Sequence, residues 1–156
     1  MPVKDELETY LRDQGVAFEE QRHRVAYTAQ EVAASEHVPG MHVAKVVMVI
    51  ADGETVMTVL PASFRLDLDA VATALRAKEA RLAREMEFAA AFPGCEVGAM
   101  PPFGNLFGIP VLVDTSLAED ERIIFQAGTH TDTMSLRYRD FERLVKPKLA
   151  DVRLRR

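Results

Sequence analysis

The stretch Val43-Ala44-Lys45-Val46-Val47-Met48-Val49-Ile50-Ala51, then Asp52-Gly53, then residues 55–60, decides the fold. The first run is almost wholly apolar and rich in β-branched residues, as in a strand covered on both faces. Asp-Gly is a two-residue hairpin turn, because both positions tolerate positive φ, and residues 55–60 supply the returning strand. Upstream, Val3, Leu7, Tyr10 and Leu11 recur at helical spacing before Gly15, and residues 16–20 read as a strand. Thr28 with Glu31 three residues on is a capping box, opening a helix that Pro39-Gly40 ends. Downstream, Asp67 caps a helix with Leu68, Val71, Ala72 and Leu75 on one face. A short strand at 80–83 and a helix at 84–92 follow. Residues 109–114, 122–127 and 134–138 read as strands, and a last helix runs from near Asp140 to Lys146-Pro147. The expected fold class is therefore α/β (mixed α+β). It is a single domain over residues 1–156, with a central mixed β-sheet flanked by helices and a basic C-terminal tail at about 147–156.

The 156 residues are 48% hydrophobic and 28% charged, the balance of a folded domain rather than a disordered chain. Cys95 is the single cysteine, which excludes an internal disulfide and any multi-cysteine zinc site. No stretch approaches the ~20 apolar residues of a membrane span, and residues 1–11 hold no signal-peptide core, so a cytoplasmic protein without a membrane partner is expected. The net charge of −5 is unevenly spread. Residues 1–136 hold 11 Lys+Arg against 21 Asp+Glu, a balance of −10; residues 137–156 hold 8 against 3, a balance of +5. Such a chain suits a small piece of nucleic acid better than a broad non-specific grip on DNA. On charge alone, the basic end reads as a solvated helix with a frayed tail.

Lys45 is the first candidate for chemistry, since a charge in an apolar strand is costly unless it is paired or faces a cleft. A lysine snorkelling from a strand end to water is the alternative. The second candidate is the Gly/Pro-rich stretch from Gly98 to Gly104. Gly98, Ala99 and Met100 keep amide protons there, while Pro101 and Pro102 have none, so a backbone-donor pocket would be built mainly from the first three; a structural Pro/Gly connection is the alternative that composition alone favours. His130 is the third, placed by Gly128-Thr129 just past a strand end, where it could orient water or a substrate amine; a hydrogen-bonded structural histidine is the alternative. His23, His37 and His42 lack metal-ligand spacing. No Gly-x-Ser-x-Gly elbow, Walker loop or dinucleotide fingerprint is present. Cys95 beside Glu96 has no neighbour that would lower a thiol pKa.

Taken in order, these features resemble the YbaK / prolyl-tRNA synthetase-associated editing-domain family, across nearly the whole chain. Ala44-Lys45-Val46-Val47 looks like the family's lysine-bearing strand. Gly98-Ala99-Met100-Pro101-Pro102-Phe103-Gly104 looks like its Gly-x-x-x-Pro loop, and Gly128-Thr129-His130 is similar to its Gly-x-His. The resemblance implies hydrolysis of mischarged aminoacyl-tRNA, above all tRNA-Pro carrying a small wrong amino acid, by a free-standing deacylase without metal, nucleotide or other cofactor. It implies Lys45, Gly98 and His130 as catalytic residues. Val46, Ala99, Met100, Pro101, Pro102, Phe103, Gly128 and Thr129 are implied as substrate-binding. The implied partners are the tRNA acceptor end and, as a candidate, prolyl-tRNA synthetase. Val46 stands where the alanine-specific branch often has Asn, and Pro101 where relatives often have Ser or Thr. The competing reading is a non-catalytic domain that binds tRNA or a synthetase.

Overall fold

The computed structural model describes residues 3–22 and 43–154. Helix α1 (Val3–Asp13) buries Val3, Leu7 and Leu11, the stripe expected from their spacing. Strand β1 (Phe18–Arg22) starts two residues later than expected, because Val16 is itself buried with its N–H bonded to the Leu11 carbonyl. The expected helix at 28–40 lies outside the described residues, as do His23, His37 and His42.

Strands β2 (Ala44–Ala51) and β3 (Glu54–Pro61) form the expected hairpin, paired in register from Ala44↔Pro61 to Ala51↔Glu54. Asp52 (φ 48°) and Gly53 (φ 83°) make its turn, the double positive φ that Asp-Gly allows. Helix α2 (Leu68–Leu75) is capped as expected: the Asp67 carboxylate accepts from the Asp69 and Ala70 N–H groups at 3.0 and 3.1 Å. Strand β4 (Ala80–Leu82) follows. The helix expected over 84–92 is only helix α3 (Glu85–Phe88), followed by a 3-10 turn, Ala89–Ala91. Just after it, Phe92 packs on Phe107 in a tilted pair, 4.6 Å between ring centroids, a contact that no local signal encodes.

Strands β5 (Val111–Asp114), β6 (Arg122–Gln126) and β7 (Asp132–Arg137) precede helix α4 (Tyr138–Val145). Lys146, in left-handed conformation before Pro147, ends α4 as expected. The chain then makes a further strand, β8 (Lys148–Ala150), parallel to β5. As far as Leu154, the basic tail is thus not a frayed one. Asp114, fully buried, accepts from the Val152 N–H at 2.8 Å and lies 3.3 Å from Arg153 Nε, while Val152 itself is buried. Pairing to β5 and to this carboxylate outweighs the repulsion among the basic residues.

The expected mixed sheet is five-stranded, in the order β4-β2-β3-β5-β8, with helices flanking it. A second, antiparallel sheet, β1-β7-β6, joins it through a parallel bridge between Val43 and Ile124. The main core lies between them, with Leu7, Leu11, Met48, Phe103, Phe125 and Phe141 inside. A smaller core under α2 holds Val49, Val56, Val71, Leu112 and Val152. Because Met48 enters one core and Val49 the other, β2 is covered on both faces, as its composition demands.

Candidate functional site

The loop at 96–99 is fastened to the β6–β7 turn by a set of hydrogen bonds. Glu96 N–H donates to the Gly128 carbonyl and Gly128 N–H to the Ala99 carbonyl, both at 2.8 Å. The Glu96 carboxylate accepts from the His130 N–H at 2.7 Å. His130 Nε2 lies 2.8 Å from the Val97 carbonyl and Nδ1 lies 3.3 Å from Gln126 Nε2. A carbonyl only accepts, so the ring presents an Nε2–H to Val97. Gly98 sits against this ring. Its φ is +85°, and a Cβ there would stand 3.5 Å from His130 Cε1. Room exists for a methyl group, but the backbone conformation disfavours one.

This fastening orients the loop amides. Ala99 N–H is spent on the Glu96 carbonyl at 3.0 Å. The N–H groups of Gly98 and Met100 have no acceptor among the described residues. Of the three donors expected from the sequence, two are therefore available to a carbonyl or oxyanion. The rest of the loop serves packing. Ala99, Met100, Pro101, Pro102 and Phe103 are all buried. Phe103 is an aromatic hub, its ring 5.5 Å from Phe125 and 5.4 Å from Phe141, so it is a core residue and not a substrate contact. Gly104 explains the glycine after it: a Cβ would meet the Ile109 carbonyl at 2.5 Å.

Lys45 stands opposite Leu60 in the hairpin and is half-buried. Burial lowers its pKa, and the Arg65 guanidinium lowers it further. No carboxylate lies within ion-pair reach of it among the described residues. Two residues beyond the Val43–Ile124 bridge stand Lys45 on β2 and Gln126 on β6. Ala44, Met48, Ile123 and Phe125 enter the core between the sheets, so Lys45 and Gln126 share the opposite side of the seam. Lys45 is thereby set on the side of the residue that holds His130. No hydrogen bond joins Lys45 to His130 or to the Gly98 loop among the described residues. Val46, by the same alternation, packs its side chain toward the main core, on the face opposite Lys45.

The Gly128-Thr129 turn is structural in its side chains. Thr129 Oγ1 donates to Asp132 Oδ2 at 2.5 Å and accepts from the Asp132 N–H at 3.1 Å. Asp132 also meets Lys4 Nζ at 3.4 Å, and Lys4 meets Glu20 at 3.3 Å, so α1 props the turn from behind. Burial opposes charge on Lys4, but Glu20 and Asp132 outweigh it and raise its pKa. The Cys95 thiol is pushed up to about 12 by burial and then by Glu96, as its setting suggested. Sequence reasoning missed Gln126, Glu96 and Arg65. Gln126 had a signal, a polar residue closing the apolar run Ile123-Ile124-Phe125; Glu96 and Arg65 had none.

No group of three or more His, Cys, Asp or Glu among the described residues is placed to hold a metal ion. No helix among them is long and apolar enough to cross a membrane. The site is thus a set of oriented backbone donors, a clamped imidazole and an unneutralised lysine, all carried by a mixed α+β domain.

The chain belongs to the aminoacyl-tRNA editing domain family, whose model matches residues 23–144. It is 36% identical over 87 residues to a proline–tRNA ligase of Acidithiobacillus ferrooxidans, a match covering 56% of this chain and 15% of that ligase. The fold is shared with a crystal structure described as a candidate trans-editing enzyme for prolyl tRNA synthetase. The TM-score is 0.83 and the identity 18%, over 99% of both chains. A scaffold protein used for computational epitope grafting is similar too, with a TM-score of 0.82 and 19% identity over 100% of this chain and 99% of its own.

Proposed function

We propose that this domain hydrolyses the ester bond of mischarged aminoacyl-tRNA, acting in trans in the cytoplasm on tRNA-Pro that carries a small wrong amino acid. The observation that carries the reading is Lys45: a half-buried cation with no carboxylate partner among the described residues, in a chain of the editing family. A synthetase pocket separates amino acids that differ by a methylene by only ~1–3 kcal/mol, so a second, hydrolytic site is needed to clear errors.

In the reaction, water adds to the ester carbonyl, and the resulting oxyanion is met by the Gly98 and Met100 N–H groups and by Lys45. One water proton is released to solvent as the oxyanion forms; the carbon–oxygen bond to the ribose then breaks, the second proton passes to the ribose oxygen, and the amino acid leaves as a carboxylate. His130 acts here as a clamp. Both its ring nitrogens are engaged, so its task is to hold the Gly98 loop rather than to take a proton from water. The neighbouring hydroxyl of the terminal ribose supplies the orientation of water that no described side chain does.

The acidic body limits the RNA contact to the acceptor end, with prolyl-tRNA synthetase as the partner that releases the substrate. The test is release of alanine, serine and cysteine from mischarged tRNA-Pro, with correctly charged prolyl-tRNA as control. The reading expects at least one of the three to be released catalytically while the prolyl ester survives. Tight binding of every substrate without turnover would establish the non-catalytic alternative.

A further inference from the structure

We propose that Lys4, on helix α1, is a positioning residue of this site: through Asp132 it fixes the β6–β7 turn and, with that turn, the Gly98 loop. The inference rests on the deacylase reading and extends the working site to a helix outside residues 23–144, the span that the family model matches.

The first turn of α1 touches both halves of the fastening. Val3 N–H donates to the Gly94 carbonyl, at the entry to the loop, at 3.4 Å. On the other side, a Cβ at Gly128 would stand 3.3 Å from Val3 Cβ and 3.5 Å from Lys4 N, so the helix packs close on the β6–β7 turn. Lys4 Nζ then reaches Asp132 Oδ1 at 3.4 Å, with Glu20 at 3.3 Å and Glu8 at 3.8 Å beside it. Among the described residues, Lys4 is the one cation within ion-pair reach of Asp132.

Asp132 closes the turn that carries His130. Its side chain is only 7% exposed, and one carboxylate oxygen accepts from the Thr129 hydroxyl. Its own N–H donates to that hydroxyl at 3.1 Å, and its carbonyl accepts from the Ala127 N–H at 3.0 Å. Gly128, Thr129 and His130 lie inside this closure, and Gly128 and His130 are the residues that bond the loop at Glu96 and Ala99. A buried carboxylate deprived of its cation is costly, so the turn gains by shifting to hydrate it. That shift loosens the bonds to Glu96 and Ala99, and the Gly98 and Met100 N–H groups lose their fixed aim. Lys4 thus acts at second remove, from behind the turn. A misplacement of about 1 Å at oriented donors costs up to about 100-fold in rate. Those donors matter more to the oxyanion than to the bound ester, so the loss falls on kcat.

The experiment compares Lys4→Met, Lys4→Arg and Arg12→Met with wild type on alanyl-tRNA-Pro, at a temperature where thermal melts show each to be folded. Lys4→Met keeps the stem and removes the charge; it should lower kcat about tenfold with KM changed less than about twofold. Lys4→Arg restores a cation beside Asp132 and should recover most of the lost kcat. Arg12, on the same helix, meets Glu8 at 3.3 Å and lies away from the turn, so Arg12→Met should keep wild-type kcat. Amide hydrogen exchange reads the turn itself. In Lys4→Met the His130 and Gly128 N–H groups should exchange about tenfold faster relative to the amides of the β2–β3 hairpin. Unchanged kcat in Lys4→Met, an equal loss in Lys4→Arg or Arg12→Met, or exchange that quickens no more in the turn than in the hairpin overturns the proposal. If wild type releases no amino acid, the deacylase reading falls and exchange alone judges Lys4. Quickening confined to the turn then upholds its positioning role, and equal rates overturn it.

Discussion

Lys45→Met should separate activity from stability in opposite directions. The methionine stem keeps a flexible apolar chain against the sheet and removes only the charge. In the folded protein, burial and then the Arg65 charge lower the Lys45 pKa below 10.5. The folded state therefore binds this proton less tightly than the unfolded chain does. Near pH 7, below both pKa values, each state carries the proton and the folded state bears the full penalty. The penalty fades as pH rises through the folded pKa and is gone above 10.5. At pH 7 the methionine variant should thus melt no lower than wild type, and any gain should vanish at strongly alkaline pH. Catalysis should move the other way. Losing one preorganised charge at a developing oxyanion costs about 100- to 1000-fold in kcat. Single-turnover release of alanine from alanyl-tRNA-Pro, at saturating enzyme, reads the chemical step directly. Wild-type turnover should also fall at alkaline pH, with a midpoint below 10.5, once spontaneous ester hydrolysis is subtracted. A variant that melts several degrees lower at pH 7 would show that Lys45 is held by a structural partner. A folded variant within threefold of wild type would remove it from the chemistry.

Gly98→Ala places alanine at a φ of +85°, a strain of about 1–2 kcal/mol, and relief by moving the loop should slow turnover roughly 5- to 30-fold. Gly15→Ala, at a φ of +69° with nothing within 4 Å, carries similar strain away from the site, and equal activity of the two variants would refute the role of the loop. Asp114→Ala removes a buried carboxylate that holds Ser116, Val152 and Arg153, so stability should fall by about 3–5 kcal/mol, read as a large drop in Tm. Arg153→Ala should cost clearly less, because the two backbone donors to Asp114 remain; equal losses would show that the ion pair alone anchors the C-terminal segment. With its pKa pushed up to about 12, the Cys95 thiol should react slowly with iodoacetamide at neutral pH, and Cys95→Ala should keep full activity. Rapid stoichiometric labelling of the folded protein would contradict that environment.

The hairpin was legible because its signals are local. Asp52-Gly53 dictates the turn, and the apolar run on either side dictates burial, whatever the rest of the chain does. The cap at Asp67, the stripe of α1 and the stop at Lys146-Pro147 were legible for the same reason. Lys45 and Gln126 could be noticed as polar residues in apolar runs, since desolvation makes such residues costly. Phe103 was misread because sequence adjacency to Gly98 says nothing about which way a side chain faces.

What the sequence by itself determined, then, is most of the described elements, though not β8, together with the hairpin and the short inventory of groups able to do chemistry. Only the tertiary structure decided what those groups do. The Glu96 carboxylate reaches His130 N–H across 34 residues, and Asp114 reaches Val152 across 38. The first contact turns a histidine into a clamp and leaves two amides free; the second turns a basic tail into a strand. Local propensity carries no information about such pairs, because their energy comes from satisfying buried polar groups that meet only once the sheets have closed.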